Sequence, residues 1–89
     1  LNIVFDRSFS KSIDHIASAS IKKKLETIIF RIETAKSLYD IPNLKKMEGY
    51  KSFYRIRMGE YRLGFELLED NSILLIVIAH RKDIYRVFP

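Results

Sequence analysis

The spacing of apolar positions changes from helical to alternating near the middle of the chain, and the predicted elements follow that change. Asn2-Ile3-Val4-Phe5 is a short β-branched and aromatic run that predicts a first strand. Asp6, Ser8 and Ser10 offer N-caps, and from Ser10 the apolar positions Ile13, Ile16 and Ala17 fall on one side of a helix. Ser18-Ala19-Ser20 interrupts that pattern, with Ser20 placed to cap a second helix. Ile21, Leu25, Ile28, Ile29, Ile32 and Ala35 then recur at three- and four-residue spacing, the mark of an amphipathic helix. Lys22, Lys23, Glu26, Arg31 and Glu33 take its outward side. The two helices would form a hairpin or a kinked rod.

Residues 37–43 read as a connection, since Pro42 would remove a hydrogen bond from a helix or an inner strand. A meander comes next, with strands over Phe53–Met58, Tyr61–Leu68 and Ser72–Ala79, the last being the most apolar and central. Gly59-Glu60 is a two-residue turn with glycine first, and Asp70-Asn71 is a second turn in which Asn tolerates the left-handed conformation. Parity assigns Tyr54, Ile56, Met58, Tyr61, Leu63, Phe65 and Leu67 to one face. Arg55, Arg57, Arg62, Gly64 and Glu66 fall on the other. The apolar face needs a cover, and the helices are the available one. The basic face is therefore the candidate working surface, with a shallow spot at Gly64 and Glu66 paired to an arginine. Tyr39, Tyr50, Tyr54 and Tyr61 are expected at the edge of the core, and His15 at the surface.

Composition narrows the classes. Eighty-nine residues with 47% hydrophobic content suit one α+β domain, residues 1–89. The expected fold is a small antiparallel-rich sheet of about four strands with an N-terminal helical hairpin packed on one face. No cysteine occurs, which excludes disulfides and thiolate chemistry. No metal site or cofactor is expected. A formal net charge of +5 favours a nucleic acid, a ribonucleoprotein surface or an acidic protein as partner. The longest apolar stretch, Ile73 to Ala79, is too short for a membrane span, and no leader pattern is present. A cytoplasmic protein without membrane contact is the expectation.

Cations concentrate between Lys45 and Arg62, where Lys45, Lys46, Lys51, Arg55, Arg57 and Arg62 face only Glu48 and Glu60. The motifs there are Leu-Lys-Lys-Met-x-Gly-Tyr at 44–50 and Tyr-Arg-Ile-Arg-Met-Gly-Glu-Tyr-Arg-Leu-Gly-Phe at 54–65; His-Arg-Lys-Asp-Ile-Tyr lies beyond them at 80–85. Together they make the chain resemble, over essentially its whole length, the RelE/ParE superfamily, the toxic half of bacterial type II toxin–antitoxin pairs. The resemblance implies a RelE-like fold with two N-terminal helices on one sheet face. It implies one of two activities: RelE-like members are mRNA interferases that cleave messenger RNA on the ribosome, and ParE-like members inhibit DNA gyrase without nuclease activity. A basic binding module without catalysis is a third reading. In the nuclease branch the resemblance places catalytic groups at Lys45 or Lys46 in the loop before the sheet, at Arg62, at Arg81 and at Tyr85, and more loosely at His80. Lys51, Arg55, Arg57 and Lys82 would contact RNA.

Metal-independent cleavage by the substrate's own 2′-OH needs a base, positive charge for the phosphorane and a proton donor for the 5′-oxygen. Arg62 and Arg81 suit the charge. A lysine among other cations gives up its proton more readily and could act as base, as could His80 near neutrality. Tyr85 could stack on a base or carry a proton. The partners implied are a cognate antitoxin, the ribosome with its mRNA or alternatively DNA gyrase, and operator DNA only through the antitoxin.

Overall fold

Two side-chain caps fix where the helices begin. In the computed structural model, which describes Leu1–Pro89, Asp6 caps α1 (Arg7–Ile13) by accepting from the Ser8 backbone N–H at 3.0 Å. Ser18 caps α2 (Ala19–Thr34) by accepting from the Ile21 N–H at 3.2 Å. The first helix thus starts a few residues ahead of Ser10, and Ser18 rather than Ser20 caps the second. Both choices satisfy amide donors that a helix N-terminus leaves open.

Five strands, one more than expected, form one mixed sheet: β1 (Ile3–Phe5), β2 (Leu44–Lys46), β3 (Phe53–Met58), β4 (Tyr61–Leu67) and β5 (Ile73–His80). The order is β1-β5-β4-β3-β2, with β1 parallel to β5 and every other pair antiparallel. The additional strand is β2, so Lys45 and Lys46 lie on an edge strand and not in a loop. Before it, Pro42 and Asn43 make the turn, with Asn43 at φ 60°. Gly59 (φ 62°) and Asn71 (φ 67°) take the left-handed conformation at the two hairpin turns, as their residue types predict. β5 is an inner strand, as its apolar run requires, but β4 holds the middle.

One sheet face carries Ile56, Met58, Leu63, Phe65, Ile73, Leu75 and Ile78, all buried against Phe9, Ile16, Ile21, Leu25 and Ile32 from the helical segment. The alternation of β3 and β4 set this face, and the helices cover it. A bulge interrupts β5: Gly64 pairs Val77 but Phe65 pairs Leu75, leaving Ile76 extra. α1 stitches this irregularity, since the Ser8 hydroxyl donates to the Ile76 carbonyl and the Ser12 hydroxyl accepts from the Ile78 N–H at 3.0 Å.

The opposite face has a smaller apolar cluster of its own, Val77, Ile84 and Phe88. It is made by α3 (Ile84–Val87), a short helix with no counterpart in the sequence pattern. The Phe88 ring fills the spot over Gly64: a Cβ built there would lie 2.6 Å from the ring. Gly64 is therefore a seat, not an open hollow. Tyr54 and Tyr61 sit half-buried against the core as expected, whereas Tyr39 stands fully out in solvent. No helix is long and apolar enough to cross a membrane.

Candidate functional site

Cross-strand register places like charges directly opposite one another on the face away from α1 and α2. Lys45 pairs Arg55 across β2 and β3, and Arg57 pairs Arg62 across β3 and β4. Like-charge pairs of this kind cost free energy in a sheet. A surface that keeps two of them, with no carboxylate between, is built to meet anions.

Two adjoining concavities open there. The first, of about 300 Å³, is lined by Asn43, Lys45, Arg55, Arg57 and Arg62 and has no apolar residue. The second, of about 370 Å³, is lined by Arg55, Arg62, Arg81, Lys82, Ile84 and Tyr85. Arg55 and Arg62 belong to both and form the ridge between them.

The β3–β4 turn orients the two arginines that end on it. One terminal nitrogen of Arg62 donates to the carbonyls of Gly59 at 2.8 Å and Tyr61 at 2.9 Å. The Arg81 backbone N–H donates to the Glu60 carbonyl at 2.7 Å, and its Nε meets the Glu60 carboxylate at 2.7 Å. Two side chains nineteen positions apart in sequence (62 and 81) thus converge on three turn residues. Each keeps guanidinium nitrogens free for a ligand. Arg57 and Lys45 form no ion pair, leaving their charge uncompensated.

Tyr85 stands 76% exposed on α3, with the Arg55 guanidinium 5.2 Å from its ring centre. That cation–π contact holds the ring flat-on beside the cations. A planar base could stack on its other face.

Of the residues singled out from sequence, Lys45, Arg55, Arg57, Arg62, Arg81, Lys82 and Tyr85 come together here. Three do not. Lys46 pairs Tyr54 and so points to the helix-covered face, as strand parity requires. Lys51 lies in the turn before β3 and lines neither concavity. His80 pairs Tyr61, its ring edge-on to that tyrosine at 5.5 Å, on the far side of the sheet from Arg62. Its Nδ1 accepts from the Lys82 N–H at 3.1 Å, an anchor for the turn after β5. Glu66 takes the Ser52 hydroxyl at 3.3 Å and pairs with no arginine. Asn43 and Glu60 enter the site without having been singled out. Asn43 had a usable signal in the Pro-Asn turn that starts the edge strand. Glu60 had none beyond its place beside the turn glycine.

Comparison with known proteins gives a consistent result. Residues 3–85 match the family described as ParE toxin of type II toxin–antitoxin system, parDE. The chain is 38% identical over 90 residues to Toxin RelE3 of Methanocaldococcus jannaschii, with all of both chains covered. Among solved structures, it resembles a RelB–RelE antitoxin–toxin complex from Methanococcus jannaschii at TM-score 0.82 and 36% identity, covering 97% of this chain and 99% of that one. It resembles an archaeal RelE–RelB complex from Pyrococcus horikoshii OT3 at TM-score 0.72 and 17% identity, covering 90% and 93%. That last likeness concerns the fold alone.

Proposed function

From the premise that the chain belongs to the RelE/ParE superfamily of type II toxin–antitoxin toxins, we propose that it is a ribosome-dependent endoribonuclease that cleaves translated mRNA. The observation that carries this reading is the convergence of Arg62 and Arg81 on the β3–β4 turn, beside Tyr85 and Lys45, on an open sheet face. In this reading the scissile phosphate sits over the ridge of Arg55 and Arg62, with Arg81 closing the second concavity. The 2′-oxygen bonds to phosphorus and loses its proton; the bond from phosphorus to the 5′-oxygen breaks and that oxygen gains a proton. The guanidinium groups hold the phosphoryl oxygens as their charge rises. With His80 and Lys46 on the far face, Lys45 and Tyr85 are the proton-transfer groups within the site, and Tyr85 also offers a stacking surface. Lys82 and Arg57 extend the phosphate contacts outward.

The reading implies a cognate antitoxin as partner, as in the RelB–RelE relative, and operator DNA contacted only through that antitoxin. It places the protein in the cytoplasm, with the ribosome. A second reading has one observation in its favour, the ParE family match: inhibition of DNA gyrase by protein contact, without hydrolysis.

The deciding experiment is brief expression in cells, with mapping of transcript ends on ribosomes and of plasmid supercoiling. Cuts within translated codons that vanish in Arg62→Ala and Arg81→Ala support the nuclease. Intact transcripts with loss of supercoiling would replace it with the gyrase reading.

A further inference from the structure

α3 cannot hold itself in place. It has only Ile84–Val87, and its N-cap residue Asp83 makes no side-chain capping bond. A single turn of helix in water is far below the length at which helices persist. The contacts of Arg81 with Glu60 tie down the turn before it, and its position over the cationic face beyond that turn comes from what it buries. Ile84 and Phe88 stand four residues apart on one side, 1% and 5% exposed, while Tyr85 projects outward.

Phe88 is seated on one spot. Its ring atoms lie 2.6–2.8 Å from where a Cβ of residue 64 would be, a separation possible only because residue 64 is glycine. The Phe53 ring meets it edge-on at 5.7 Å. The register explains why this seat matters. Gly64 lies on β4 two residues beyond Arg62 on the same face, and directly opposite Arg55 on β3. Tyr85 rests against Arg55. One helical turn therefore sets two aromatic rings onto two paired sheet positions, Phe88 on Gly64 and Tyr85 beside Arg55.

We propose that Phe88, seated on Gly64, is the positioning residue that holds Tyr85 in the groove with Arg62 and Arg81. This deepens the nuclease reading and, for its kinetic half, rests on it. The cluster that Phe88 belongs to is separate from the main core across the sheet, so its loss frees α3 while leaving the helix-covered face packed.

The test uses the purified full chain in two independent measurements. The first is nuclear Overhauser contact between the Tyr85 ring and the Arg55 side chain. The second is cleavage of ribosome-bound mRNA, with kcat and KM separated. Phe88→Ala abolishes the Tyr85–Arg55 contacts and lowers kcat by on the order of 100-fold, the scale set by misplacing a catalytic group by about 1 Å. KM changes little, since Lys45, Arg57 and Arg62 are anchored elsewhere. Gly64→Ala, which expels the ring without removing an atom, reproduces both effects. The double variant is no worse than Phe88→Ala alone, because the ring that the new methyl would strike is then gone, and Phe88→Leu recovers part of the loss. Persistence of the Tyr85–Arg55 contacts in folded Phe88→Ala overturns the proposal. So does their loss with kcat unchanged, and so does additivity of the two substitutions. A wild-type chain that cleaves nothing sinks the nuclease reading instead, and the ring contacts then decide alone whether Phe88 positions Tyr85.

Discussion

If the cationic face binds RNA through phosphates, its affinity must depend on salt with a slope set by the cations counted on it. The two concavities bring together Lys45, Arg55, Arg57, Arg62, Arg81 and Lys82. Glu60 offsets Arg81, which leaves about five uncompensated charges, and at ~0.7 per phosphate for single strands the slope of log K against log salt is about −3.5. Raising salt from about 50 to about 200 mM then weakens binding by on the order of 100-fold. Arg57→Ala removes an exposed cation with no ion pair and reduces the slope to about −2.8. Glu60→Gln frees Arg81 and steepens it to about −4.2, the opposite sign from a change at the same site. The assay is fluorescence anisotropy of a labelled single-stranded oligoribonucleotide titrated at several salt concentrations. Lys22→Ala and Lys23→Ala, on exposed positions of α2, are the controls. Equal slopes for Arg57→Ala and wild type, or an equal effect from the α2 lysines, would refute the assignment of this face.

Three further outcomes test the fold that carries the site. Leu63→Ala, at a fully buried position of β4, lowers stability by about 2–5 kcal/mol in urea unfolding, the range for core truncations. Gly59→Ala costs about 1–2 kcal/mol for a left-handed backbone. Gly59→Asn costs less in the same denaturation assay, because asparagine visits that region more readily. Hydrogen bonds hold two carboxyls below the usual aspartate range, from the Ser8 hydroxyl and then its backbone N–H for Asp6, and from the Ser72 backbone N–H and then its side chain for Asp70. Lowered folded values mean that this stabilisation is complete above the ordinary range and lost as pH falls through the lowered values. Asp6→Asn with Asp70→Asn therefore flattens the acid limb of a stability–pH curve.

The hairpin of β3 and β4 was legible because three independent signals agree on it: alternation, a turn glycine and arginines restricted to one parity. Those signals also bring Arg55, Arg57 and Arg62 to one face by parity alone. β2 was not legible, since a three-residue strand with two lysines has no pattern of its own and exists by pairing with β3. Lys45 and Lys46 are separated by that pairing alone. α3 was hidden for a related reason. Its helical state depends on the burial of Ile84 and on the seat of Phe88 over Gly64, a contact between positions 64 and 88 that no local spacing encodes.

His80 shows how one irregularity redirects chemistry. In an unbroken strand, strict alternation from Ile73 would place His80 on the same face as Leu74 and therefore beside Arg62. The extra residue at Ile76 reverses parity for the rest of β5, and the hydroxyls of Ser8 and Ser12 bind the backbone of the bulge on the α1 side. Val77 and Ala79 turn to the cationic face, while Ile78 and His80 turn to the helices. The imidazole is left against Tyr61, accepting the Lys82 N–H. Asparagine at position 80 offers a carbonyl oxygen in place of Nδ1 and preserves that anchor. His80→Asn is therefore expected to cleave ribosome-bound mRNA within about threefold of wild type across pH 5.5 to 8, while Arg81→Ala loses on the order of 100-fold from the missing charge on the phosphorane. A collapse of the His80→Asn rate, with loss of the acidic limb of the pH–rate profile, would put the imidazole in the proton path and contradict its assignment to the far face.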